Sequence, residues 1–141
     1  MDPIKSFRDL KAWQVAKQAV REVYRLTESF PAKEQFGLTS QMRRAAVSIP
    51  ANVAEGKGRV RKGDYLQFLS IARGSLAELE TLLELSVELG FAKADPARDL
   101  WKMLQEVGRL LSGLIRAVSR DGVKDTRGPT KRPSASSGPK T

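Results

Sequence analysis

The chain has 141 residues, the size of one domain, and contains neither cysteine nor histidine. That excludes disulfide frameworks, Cys/His zinc sites, cysteine nucleophiles, histidine general bases and Ser-His-Asp triads, leaving carboxylates, Lys, Ser/Thr and Tyr for any catalysis. Lys and Arg number 25 against 16 Asp and Glu, a net charge of +9, which favours a polyanionic partner: nucleic acid first, an anionic membrane second.

From residue 7 to about 120 apolar residues recur at steps of three and four. No alternating strand pattern or Asn-Gly or Asp-Gly hairpin signal intervenes, so the chain reads as all-α. The first helix is predicted from Phe7 to Ser29, with Trp13, Ala16, Val20, Val23, Thr27 and Phe30 on one row and Ala12, Val15, Ala19 and Leu26 on a second. Phe30-Pro31 ends it, because the residue before proline avoids the helical region. The second helix is predicted from about Ala32, carrying Phe36, Leu38, Met42, Ala45, Ala46, Ile49 and Val53 inward. Pro50 within it is expected to kink rather than stop the helix, because the apolar period resumes at Val53.

A glycine-rich basic connection follows, Glu55-Gly-Lys-Gly-Arg-Val-Arg-Lys-Gly63. Asp64 is then the predicted N-cap of the third helix, with Gln67 as its capping-box partner. This helix has one seam of Tyr65, Leu69, Ala72, Leu76, Leu79, Leu83 and Ser86, and a second of Phe68, Ile71, Leu82, Leu85 and Leu89. Gly74 in its middle predicts a close helix–helix approach, and Gly90 a C-terminal stop. Asp95-Pro96 gives the fourth helix an N-cap and a proline at its first position, followed by Leu100, Trp101, Leu104, Val107, Leu111, Leu114, Ile115 and Val118. Four long helices joined by short links predict an antiparallel up-down-up-down four-helix bundle over residues 1–120. The remainder, 121–141, holds five cations and two carboxylates and, from Gly128 on, no large apolar residue. It is expected to be a disordered basic tail, a solubilising segment or, alternatively, an arm that adds affinity for phosphates. No stretch approaches the length of a membrane span, and the opening Met-Asp-Pro-Ile-Lys lacks the apolar run of a signal peptide, so a cytoplasmic protein is expected.

Three groups of residues invite a functional reading. Lys57, Arg59, Arg61 and Lys62 place four cations in six residues, interrupted only by Gly58 and Val60. They suit phosphate contacts as well as they suit a solvated loop, and the segment lacks the P-loop pattern. Arg43 and Arg44 are adjacent on the second helix and point about 100° apart, so both are expected to reach solvent or an acidic partner. Lys17, Arg21 and Arg25 recur every four residues on the first helix, and Glu80, Glu84 and Glu88 do so on the third. Each row repels itself, and in an antiparallel bundle these two helices are diagonal, so opposed rows can meet only between subunits. Both rows can equally be solvated faces. Glu55 beside Asn52 has no second carboxylate or metal-ligand pair at helical spacing, so neither a catalytic nor a metal site is assigned, and no cofactor. The two tryptophans and Tyr65 lie on apolar faces and read as core or interface.

Five ordered motifs carry a resemblance: Phe7-Arg-Asp-Leu-Lys-Ala-Trp13, Phe30-Pro-Ala-Lys-Glu-Gln-Phe-Gly-Leu38, Gln41-Met-Arg-Arg-Ala-Ala-Val-Ser-Ile49, Asn52-Val-Ala-Glu-Gly56 and Gly74-Ser-Leu-Ala-Glu-Leu79. Over residues 7–120 the chain resembles the bacterial 23S rRNA intervening sequence proteins. The resemblance implies a compact antiparallel bundle that assembles as a homopentamer, with no catalytic activity attached to it. A related branch, the accessory proteins of diversity-generating retroelements, implies a basic ring that binds nucleic acid and a reverse transcriptase. The expectation is a non-enzymatic, ring-forming RNA-binding protein. Arg43, Arg44, Lys57, Arg59, Arg61 and Lys62 are then its phosphate contacts, and the two charged ridges its subunit interface. The alternative is an oligomeric scaffold for a protein partner, for example a reverse transcriptase.

Overall fold

Apolar side chains at three- and four-residue spacing must lie on one side of a helix and be covered by its neighbours. The computed structural model, which describes residues 6–125, satisfies this with four helices. A short 3-10 turn, Phe7–Asp9, leads into α1, Lys11–Thr27. A second 3-10 turn, Ala32–Glu34, leads into α2, Leu38–Lys57, which is followed by α3, Lys62–Glu88, and α4, Ala94–Asp125. α1 and α3 each pack against α2 and α4, while the diagonal pairs do not touch. α2 and α3 run antiparallel: the Ser48 and Ser75 hydroxyls lie 2.7 Å apart at one level, and Gly56 backs onto Tyr65 and Phe68 at another. α3 and α4 do the same, with Leu76 against Gly108, the Gln105 amide donating to Glu80 at 3.2 Å, and Lys62 reaching the carbonyl of Ser119 at 3.5 Å. At the other end Phe30, just after α1, packs on Phe91, just before α4, with ring centroids 5.9 Å apart.

Met42, Ile49, Val53, Leu69, Leu79, Leu83, Leu104 and Leu111 are fully buried, and each contributes about 1.5–3 kcal/mol of burial free energy. The inward rows expected for α1, α3 and α4 are found, with Trp13, Trp101 and Tyr65 half-buried at the edge of the core. No side-chain polar atom buried among the described residues lacks a hydrogen-bond partner. The Ser86 hydroxyl, fully enclosed, donates to the Leu83 carbonyl at 2.7 Å.

Helix ends differ from expectation at several points. Phe7–Asp9 is a 3-10 turn rather than the start of α1; the Ser6 side chain accepts from the Arg8 amide at 3.0 Å and opens that turn instead. α2 begins at Leu38, six residues later than expected, because Glu34 and Gly37 build the start between them. The Glu34 carboxylate accepts from the Leu38 amide at 3.1 Å, placing a negative charge at the positive end of α2. A Cβ on Gly37 would lie 2.9 Å from that carboxylate oxygen, so a larger residue there would push the capping side chain aside. Phe36 consequently lies in the turn and is 91% exposed instead of facing inward. α2 continues through Pro50, as expected.

α3 begins at Lys62, with Arg61 as an N-cap that makes no side-chain bond. Asp64 is thus inside the first turn, and the expected capping box does not form. α4 begins at Ala94, so Asp95 and Pro96 are its second and third residues; Pro96 still falls where no intrahelical donor is needed. Gly90 does end α3: its φ is 82°, its amide bonds to the Val87 carbonyl at 3.0 Å, and the Phe91 amide bonds to Ser86 at 2.9 Å, a Schellman pair. Gly74 serves no close approach, since a Cβ there would meet nothing within 4 Å. Of the expected tail 121–141, residues 121–125 extend α4, and 126–141 lie outside the described residues.

Candidate nucleic-acid interface

The six cations singled out for phosphate contact do not form one cluster. Arg43 and Arg44 sit about 20 Å along α2 from Lys57, thirteen or fourteen residues at 1.5 Å each. Arg43 has an internal task. Its Nε donates to the Thr27 hydroxyl at 2.8 Å, which in turn donates to the Val23 carbonyl at 2.8 Å. Its guanidinium also covers the Tyr24 ring at 4.3 Å and reaches the Tyr24 carbonyl at 3.4 Å. The cation therefore bonds one of the last carbonyls of α1 and lies at the negative end of that helix, tying α2 to α1. Arg44, one residue on, is exposed.

The other four cations gather where α2 turns into α3. The turn is tight: the Gly58 amide closes on the Ala54 and Glu55 carbonyls, both at 3.2 Å, and Val60 at the tip is fully exposed. Gly56 makes the turn tight, since a Cβ there would stand 2.9 Å from the Tyr65 ring and 3.0 Å from Phe68. Arg59 is held in place twice, by the Glu55 carboxylate at 2.6 Å and by the Phe68 ring, 4.6 Å from its guanidinium. Arg61 is exposed and has no ion-pair partner among the described residues, and Lys62 is half-buried against the Ser119 carbonyl. That last contact brings the end of α4, with exposed Arg116 and Arg120, beside the connection. These arginines were not apparent as part of the group in the sequence, because only the antiparallel pairing of α3 and α4 sets residue 119 beside residue 62. The one signal was their spacing of four.

The two charged ridges are on different, non-touching helices, as expected of diagonal neighbours. Lys17 lies over the Trp13 ring at 4.5 Å, Arg21 is exposed, and Arg25 pairs with Glu22 on its own helix. Glu84 and Glu88 are exposed, whereas Glu80 is half-buried and accepts from Gln105. Partial burial holds the Glu80 carboxyl above its usual range, against the pull of the Gln105 amide and with the Glu84 charge adding to the rise. Beside this acidic row part of the outer seam of α3 stays uncovered, with Ile71 42%, Leu85 40% and Leu89 60% exposed, while Leu82 is buried. Among the described residues no three carboxylates converge as a metal site would require, and no helix is long and apolar enough to cross a membrane.

The fold is thus that of a basic all-helical bundle whose uncovered features are a cationic turn and an acidic, apolar helix face. The chain belongs to the 23S rRNA-intervening sequence protein family, whose model matches residues 8–113. A crystal structure from Bacteroides thetaiotaomicron, a protein of unknown function from the S23 ribosomal protein family, is similar in fold: TM-score 0.66, 24% identity, covering 74% of this chain and 97% of that one. No curated protein matches the chain.

Proposed function

We propose that this protein is a non-enzymatic RNA-binding protein that works in the cytoplasm as a closed ring of identical subunits. The observation that carries RNA binding is the α2–α3 turn, which gathers Lys57, Arg59, Arg61 and Lys62 on a short, tight connection; Glu55 pairs with Arg59 alone, and Arg61 is exposed with no ion-pair partner among the described residues. Such contacts hold phosphates and carry no base information, so affinity is salt-dependent and weakly sequence-selective. The family's association with 23S rRNA supports the same reading. The test is a salt series with unrelated RNA sequences. Replacing Arg59, Arg61 and Lys62 with Ala flattens the log–log slope for single strands by about 2 per subunit engaged, similarly for every sequence. A wild type without RNA affinity at low salt would reject the reading.

Ring formation is supported by the uncovered part of the outer seam of α3, flanked by Glu84 and Glu88, and by the exposed basic row on α1 that it cannot reach within one chain. A pentamer is the expected size. The exposed Leu85, Val87 and Leu89 also suit a protein partner such as a reverse transcriptase, which makes an interaction scaffold the second reading. Binding that appears only when a protein partner is present would favour it.

A further inference from the structure

α4 turns Leu104, Val107, Leu111 and Val118 into the core. At 100° per residue, Arg109, Arg116 and Arg120 all fall on the opposite side of the helix, within about 40° of one another. All three are exposed, and they span about 17 Å along the axis. Between Val107 and Arg120 there is no carboxylate; the next in the chain is Asp121. Arg109 leans back to Glu106, but Arg116 and Arg120 form no ion pair among the described residues. Four residues apart on one face, they repel each other, so the bundle gains nothing from holding both there. The Lys62 bond to the Ser119 carbonyl sets the Arg116–Arg120 end of this row beside the α2–α3 connection, which also carries the unpaired Arg61.

We propose that the outward face of the second half of α4 and the α2–α3 connection form one continuous surface for a nucleic-acid backbone. Arg109, Arg116 and Arg120 extend the phosphate contacts begun by Arg61 and Lys62. The residue type fits that ligand: a guanidinium offers a planar fork of donors that a phosphate accepts two at a time. The surface rests on the RNA-binding reading above and excludes Arg43, which is occupied at α1, and Arg44, at the far part of α2.

The experiment compares two variants of the full chain that lose the same charge at exposed positions, with folding checked by circular dichroism. Binding of a short single-stranded RNA is followed by fluorescence anisotropy across a salt series. R116Q/R120Q lowers the log–log slope by about 1.4 per subunit engaged and weakens binding, R116K/R120K keeps the wild-type slope, and K33Q/K93Q leaves it unchanged. A wild-type slope in R116Q/R120Q, or an equal loss in K33Q/K93Q, overturns this surface while RNA binding stands. A wild type that binds no RNA at about 50 mM salt overturns both.

Discussion

Arg43 shows how a cation that looks available can already be in use. Its hydrogen bond to Thr27 and its place over the Tyr24 ring make it part of the α1 terminus. Arg43→Ala removes one hydrogen bond and one cation–π contact and is expected to cost about 1–2 kcal/mol in chemical denaturation, with the RNA salt slope retained. Gly56 sets a different constraint. Gly56→Ala pushes a methyl group into Tyr65 and Phe68 and is expected to cost about 1–3 kcal/mol by the same measurement, because the turn backbone must shift. Glu80 predicts a pH effect. Its folded pKa is raised, chiefly by burial, so its contribution to folding is complete below the ordinary carboxylate range and is lost as pH rises through the raised value. Glu80→Gln keeps an acceptor for Gln105 and removes the partly buried charge. It is therefore expected to melt above wild type at pH 7, with the difference closing below about pH 4.

The two phenylalanines around the link from α1 to α2 separate what the chain's periodicity says from what a capped turn does. Phe30 is buried on Phe91, and Phe36 stands in solvent, although both continue an apolar rhythm. Phe30→Ala is expected to cost about 3–5 kcal/mol, and Phe36→Ser to fall within about 0.5 kcal/mol of wild type in urea unfolding. The reason is the Glu34–Gly37 cap, which starts α2 two residues after Phe36 and turns that side chain outward. α3 departs in the other direction. It is covered along one seam and only partly along a second, where Leu82 is buried but Ile71, Leu85 and Leu89 are exposed, so its apolar surface exceeds what a single bundle requires.

Across subunits, the exposed part of that seam and the two charged rows make one prediction together. Glu84→Arg is expected to lower the mass measured by light scattering, and adding Arg21→Glu to restore part of it, because only a direct pair gives such coupling. Wild type is expected near five times 15.6 kDa; a mass of one chain would end the ring model. The basic surface lies elsewhere, on α4 and the α2–α3 turn, so assembly and RNA binding should be separable by mutation.

Helix number, the buried faces, the stop at Gly90 and the continuation through Pro50 were legible from residue order alone. They depend on interactions within a few residues, and a 3.6-residue period with a glycine in the left-handed region is enough to specify them. The family was legible too, because its motifs are contiguous. Helix starts were not: Ser6, Glu34 and Gly37 act through side-chain and backbone bonds whose geometry the residue pattern does not encode, and Asp64 resembled a cap it does not form. The site was legible only in part. Lys57, Arg59, Arg61 and Lys62 stand together in the chain, but the withdrawal of Arg43 to Thr27 and the arrival of Arg116 and Arg120 beside Lys62 depend on which helices pack together and in which direction. Packing joins residues 16 and 57 positions apart, and no local rule in the chain measures those distances.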